Sequence, residues 1–180
     1  PMRFYLRTLG CKMNQLDSAR MAAVLAAAGH ELAPGEDTAD VVLVNTCTVT
    51  AESDRKSRQA AKAAGRRAPE VAVVGCGPRA DGERWRDALP DARVFPSVEA
   101  ALAHYGGDPE ATPFPLTSRT RLPVAVQTGC DDTCAFCITR LARGPHHSHP
   151  AEAILEQVRA AWERGVAEVV LTGINLAAWG

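Results

Sequence analysis

Two kinds of hydrophobic run alternate along the first hundred residues. Short apolar or β-branched stretches predict strands at 4–9, 41–46, 71–75 and 93–95, and Ala-rich amphipathic stretches between them predict helices at 16–28, 52–67, 81–89 and 98–105. Gly29 follows the first helix as a stop signal, and Ser97 precedes the last as an N-cap. Strand and helix in regular alternation predict an α/β fold with an open parallel sheet.

The character changes at 106–122, where Gly106-Gly107-Asp108-Pro109, Pro113-Phe114-Pro115 and Leu122-Pro123 carry turn formers and no period, the mark of a linker. Beyond it come a strand at 124–127, a cysteine-bearing loop, a helix at 151–164 stopped by Gly165, and a strand at 168–172. The expected organisation is a first domain over 1–105, a linker over 106–122 and a second domain over 123–180. The second amounts to one βαβ unit. So little sheet cannot cover a hydrophobic face, so this domain is expected to be truncated or to need partner surface.

Composition narrows the function. A chain of 180 residues with 46% hydrophobic positions buries roughly 70% of its extended surface on folding, which excludes disorder. With 20 Lys and Arg against 21 Asp and Glu the net charge is -1, so binding of a polyanion must come from a local patch. Met2-Arg3-Phe4-Tyr5-Leu6-Arg7-Thr8 is no signal-peptide core, and the apolar run at 21–28 is far too short to span a bilayer. A cytoplasmic protein with no membrane partner is expected. In that compartment six cysteines are metal ligands or catalytic groups rather than a disulfide framework.

Three of them, Cys130, Cys134 and Cys137, form a C-x3-C-x2-C loop directly after a strand. Thiolates so close in sequence converge on one soft metal centre with little loop-closure cost, and they suit an iron-sulfur cluster with one open position. A zinc site of three cysteines and one of His146, His147 or His149 is the alternative. Cys11, Cys47 and Cys76 are far apart in sequence but each follows a predicted strand. The carboxyl ends of parallel strands share one edge, so these three should meet there, flanked by Gly10 and Gly75, whose missing side chains suit a bulky cofactor. Taken singly, each is more often a small buried hydrophobe than a ligand, but all three fall at the same topological position. Arg55, Arg58, Lys62 and Arg66 line one face of the second helix, either a phosphate-contacting stripe or its solvated side. The histidine cluster at 146–149 reads as an exposed loop between prolines, and Thr172-Gly173-Ile174-Asn175 as a weak polar-ligand contact at a strand end.

The order of three separate cysteines followed by C-x3-C-x2-C resembles the methylthiotransferase family of radical S-adenosylmethionine enzymes over essentially the whole chain. The matching segments are Leu9-Gly10-Cys11-Lys12-Met13-Asn14-Gln15-Leu16-Asp17-Ser18, Val44-Asn45-Thr46-Cys47-Thr48-Val49-Thr50, Val74-Gly75-Cys76, and Gln127-Thr128-Gly129-Cys130 through Cys137-Ile138. Gly10 to Gln15, Leu141-Ala142-Arg143-Gly144 and residues 170–176 look most like the branch that modifies threonylcarbamoyladenosine at position 37 of tRNA, rather than the branches acting on isopentenyladenosine or on a ribosomal protein. The resemblance implies two [4Fe-4S] clusters. Cys130, Cys134 and Cys137 would hold the cluster that binds S-adenosylmethionine, with Phe136 near the adenine and Thr172 and Gly173 near the methionine end. Cys11, Cys47 and Cys76 would hold an auxiliary cluster carrying the sulfur to be transferred to C2 of the adenine. It further implies an open parallel-sheet domain followed by the start of a partial (β/α) barrel. The partners implied are tRNA, met through the full-length enzyme, and an electron donor protein such as flavodoxin or ferredoxin. The chain is expected to be the N-terminal portion of such an enzyme, inactive by itself. A non-catalytic iron-sulfur or zinc module is the reading from another class.

Overall fold

The computed structural model describes residues 1–115 and 121–180. Of the linker expected at 106–122, residues 116–120 lie outside the described residues, and Arg121 and Leu122 already belong to a strand.

Five strands form one sheet: β1 (Arg3–Thr8), β2 (Glu31–Leu32), β3 (Val41–Thr46), β4 (Glu70–Gly75) and β5 (Arg93–Val94). They lie in the order β2-β1-β3-β4-β5, every neighbouring pair parallel. The connecting helices are α1 (Lys12–Ala27), α2 (Ala51–Ala64), α3 (Cys76–Ala80) and α4 (Gly82–Ala88), and α5 (Val98–His104) closes the unit. The order reverses between β1 and β3, which makes this a doubly wound sheet with its switch point there.

Both faces of the sheet are covered, and β3 shows why it must be a central strand. Val41 and Leu43 join Phe4, Met21, Leu25 and Leu102 in one core, while Val42 and Val44 join Ala61, Ala64, Val73 and Trp85 in the other. Successive side chains thus enter opposite cores, as the period of two requires. Register is equally strict: Phe4 to Thr8 pair with Val41 to Asn45, and Val41 to Thr46 pair with Glu70 to Gly75. Thr46 and Gly75 are therefore level, and the residues that follow them, Cys47 and Cys76, leave adjacent strands at the same height.

The second sheet pairs β6 (Arg121–Ala125) in parallel with β9 (Glu168–Thr172), crossed over by α7 (Ala151–Glu163). Leu122, Val124, Val126, Ile154 and Ala161 are its core. Between β6 and α7 run β7 (Gln127–Thr128), α6 (Thr139–Arg143) and β8 (His147–Ser148), with β7 and β8 antiparallel. Leu155, Trp162, Leu171 and Trp179 remain exposed on this unit.

Several expectations are corrected. The first helix begins at Lys12, not at 16, because its opening turn Lys12-Met13-Asn14-Gln15 carries one apolar residue among three polar ones, of which Asn14 is nonetheless buried. The second helix ends at Ala64, so Arg66 lies past it and the expected stripe is broken. Arg58 is drawn into a 2.6 Å ion pair with buried Asp54, and Arg55 bonds Gln59. The histidine loop contains β8, and His146 is held by Gln127 and Ser148. Ser97 does cap α5, accepting from Ala100 N, and Gly29 follows α1 with φ +86°.

Candidate thiolate edge and cysteine loop

Cys11, Cys47 and Cys76 come together at the carboxyl edge, with β1 and β3 flanking the switch point and β4 beside them. Cys11 is the N-cap residue of α1 and is exposed, whereas Cys47 and Cys76 are buried. Each is positioned by local polar bonds. Ser57 brackets the Cys47 peptide: its hydroxyl accepts from Cys47 N and donates to Cys47 O, both at 3.0 Å. Thr46 donates to Val74 O at 2.7 Å and accepts from Gly77 N at 3.1 Å, which fixes the turn that carries Cys76.

Asn14 is the hub. It is fully buried in the first turn of α1, and its amide donates to Leu9 O at 2.6 Å and to Thr46 O at 2.8 Å. The Cys76 thiol points at its Oδ1 from 3.7 Å. One side chain thereby ties together the segments that follow β1, β3 and β4. Burial raises the Cys76 thiol above its ordinary range, opposed by the Arg143 guanidinium, and the neighbouring Cys47 and Cys11 raise it further.

Two glycines make the edge possible. A Cβ on Gly10, at φ +99°, would lie 2.7 Å from Cys47 Cβ and 3.0 Å from its sulfur. One on Gly75, at φ +97°, would lie 2.3 Å from Asn45 Oδ1 and 2.7 Å from Thr46 N. That same Asn45 Oδ1 is buried with no hydrogen-bond partner among the described residues. An orphaned acceptor costs stability where it stands, and such groups concentrate at functional edges.

The second cysteine set lies on the loop between β7 and α6. Cys130 N donates to Gly144 O at 3.1 Å and His146 N to Asp131 Oδ1 at 3.0 Å, which closes the base of the loop. Its tip is open: Cys134, Cys137 and Phe136 are exposed, Phe136 at 94%. Hydrogen bonds from Thr139 lower the Cys137 thiol below its ordinary range. Thr172 is buried at the end of β9 with Gly173 beside it. The turn that follows them is tied to the cysteine loop through Gln127, a fully buried residue whose role the sequence did not reveal. Its Oε1 accepts from Ile174 N and Asn175 N at 2.9 and 2.8 Å, and its Nε2 donates to Gly129 O at 2.7 Å.

Among the described residues no three His, Cys, Asp or Glu side chains close on a point tightly enough for a single metal ion. The structure thus assembles an edge of thiols and a neighbouring thiol loop rather than a mononuclear shell. The donors are soft sulfur ligands, which suit a thiophilic group, and the two bare glycines let Cys47 and the end of β3 approach the edge closely.

A doubly wound sheet with thiols from three strand ends at its switch point, beside a loop bearing three more, defines an α/β protein built around thiolate ligands. Residues 3–96 match the family described as Uncharacterized protein family UPF0004, and the chain belongs to that family. It is similar to proteins named tRNA-2-methylthio-N(6)-dimethylallyladenosine synthase. That of Desulfosudis oleivorans is 32% identical over 99% of this chain and 44% of its own length. Those of Paracoccus denitrificans and Thermotoga petrophila are 34% and 33% identical over 98% and 99% of this chain and 45% of their own lengths. The chain thus spans a little under half of these relatives. Their names carry dimethylallyladenosine, not the threonylcarbamoyladenosine expected from residues 10–15, 141–144 and 170–176. No helix among the described residues is long and apolar enough to cross a membrane.

Proposed function

We propose that this chain carries the two thiolate sites of a tRNA methylthiotransferase, acting in the whole protein on N(6)-dimethylallyladenosine. Cys11, Cys47 and Cys76 would hold one [4Fe-4S] cluster, and Cys130, Cys134 and Cys137 the other. What carries the reading is the convergence of three sequence-distant cysteines on the switch-point edge, next to the three-cysteine loop, in a chain matched almost end to end by synthases of that name. Bound there, the clusters and S-adenosylmethionine would supply the sulfur, the methyl group and the electron for functionalising an unactivated carbon, which no side chain can supply.

The protein's own part is placement. Asn14, Ser57 and Thr46 hold the edge cysteines without contributing charge, and buried Gln127 holds the cysteine loop and the 173–175 turn in one arrangement. Thr172 and Gly173 would receive the methionine end of S-adenosylmethionine and exposed Phe136 its adenine. Dimethylallyladenosine is preferred to threonylcarbamoyladenosine on the names of the relatives.

Anaerobic reconstitution with iron and sulfide tests the ligand sets. About 8 Fe per chain is expected, falling to about 4 in Cys47→Ala and to about 4 in Cys134→Ala. Zinc without iron, or loss of all iron in either variant, overturns the assignment of two sites. Methylthiolation by the full-length protein of tRNA bearing either modified adenosine decides the substrate. Product only on the threonylcarbamoyl form overturns the substrate reading alone.

A further inference from the structure

Arg143 ends α6, just beyond the cysteine loop, yet its side chain leaves its own unit and enters the thiol edge of the five-stranded sheet. Its Nη1 lies 2.7 Å from Asp17 Oδ2, and its Nη2 donates to Asn14 Oδ1, partners 126 and 129 residues earlier in the chain. The side chain is only 11% exposed. The Asn14 oxygen it binds is the one facing the Cys76 thiol. Around it α6 packs against α3, the helix that Cys76 begins. Burial works against the guanidinium charge, but Asp17, Cys76 and Cys11 outweigh it and hold Arg143 firmly protonated.

An arginine suits this position for a physical reason. Its planar fork offers separate donors to Asp17 and Asn14 at once, whereas an ammonium is a point charge on a flexible stem. A cation this enclosed also needs an anionic partner to offset the cost of leaving water, and the Asp17 carboxylate at 2.7 Å provides one.

We propose that Arg143 is a positioning residue: it docks the three-cysteine loop onto the thiol edge through Asp17 and Asn14, and its guanidinium is the cationic counterpart of the anionic centre formed on Cys11, Cys47 and Cys76. The second half rests on the cluster reading given above. Arg143 acts through Asp17, Asn14 and the Cys76 thiol beside it; it sets how the two sulfur sites face each other and the potential at which the edge site works.

The test is a potentiometric titration of the reconstituted full chain followed by electron paramagnetic resonance, with unfolding by urea alongside. Loss of a nearby positive charge stabilises the oxidised form. Arg143→Gln should therefore shift the reduction potential of the Cys11, Cys47 and Cys76 cluster to more negative values. The other cluster should stay near its own value. Arg143→Lys keeps the charge and should restore most of the potential, a rescue that a purely structural role would not give. Arg140→Gln, which alters an exposed arginine of the same short helix, should leave both potentials in place. In unfolding, Arg143→Gln and Asp17→Asn should be non-additive, with the double variant little worse than Arg143→Gln alone. An unmoved potential in Arg143→Gln at full iron content overturns the charge role, and additive unfolding effects overturn the docking role. If the wild-type chain forms no cluster on Cys11, Cys47 and Cys76, the proposed function falls and the charge role with it, an outcome told apart by the wild-type iron content.

Discussion

Gly75 offers the sharpest test of how the thiol edge is built. It stands at φ +97° and ψ -155°, a region open essentially to glycine alone, so an alanine there costs about 1–3 kcal/mol in backbone strain. Steric conflict adds to this. The new Cβ would lie 2.3 Å from Asn45 Oδ1 and 2.7 Å from both Thr46 N and Thr46 O. Those backbone atoms cannot give way easily, because Thr46 ends β3, paired to β4 along its whole length. Forcing extra volume into such a site costs about 1–3 kcal/mol. Alanine also restricts the unfolded chain, which returns about 0.4–1 kcal/mol. The expected net loss for Gly75→Ala is therefore about 1–6 kcal/mol, and for a chain of this size each kcal/mol lowers the melting temperature by about 2–4 °C. Gly165→Ala is the matched control. Gly165 also has a positive φ, +74°, but nothing lies within 4 Å of its Cβ position. It should lose only the backbone part, about 1 kcal/mol. Urea unfolding followed by circular dichroism reads both. Equal losses in the two variants would show that backbone conformation alone demands glycine, and that the close packing of β3 against Gly75 is not a constraint on the edge.

Two further outcomes are expected. Gln127→Ala removes the acceptor shared by Ile174 N and Asn175 N, so amide hydrogen exchange at those two residues should accelerate and stability should fall by about 2–4 kcal/mol; unchanged exchange there would contradict its role as a hub. The His149 imidazole is held below its ordinary value by burial and then by His147. Its folded-state pKa is thus depressed, so the stability it contributes is complete above about pH 6.5 and is lost as pH falls through the folded value. Melting temperature should drop on acidification from pH 7, less steeply in His149→Gln, and parallel curves for the two proteins would refute the assignment.

What the sequence displayed and what it hid follow from range. The continuous run at 41–44 and the apolar stretch at 71–74 announced central strands, because a strand buried on both faces has no polar alternation to confuse it. The meeting of Cys11, Cys47 and Cys76 could be read from topology alone, since parallel strands put their carboxyl ends on one edge. Elements too short to show a period, such as α3, α6 and β8, were invisible. So were the roles of Asn14, Gln127 and Arg143. Each sits beside a cysteine motif, but what each does depends on partners from other strands, and for Arg143 those partners lie more than a hundred residues away. A polar residue next to a ligand motif, in a position that proves to be buried, was the only local signal.

The two thiol sets differ in how much of their order exists before anything binds. At the edge, Cys47 and Cys76 are already buried, and Ser57, Asn14 and Thr46 fix the peptides around them, so a ligand there meets side chains whose ordering entropy was lost on folding. On the loop, the bonds are local and the tip is exposed. Cys130 N bonds Gly144 O, and Cys137 N bonds Cys134 O across a single turn, while Cys134, Cys137 and Phe136 face solvent. Arg143 stands where the two conditions meet, one residue before the Gly144 carbonyl that closes the loop, with its own side chain locked into the preformed edge. Its bond to Asp17 therefore anchors the base of an exposed loop beside the edge that holds Cys76.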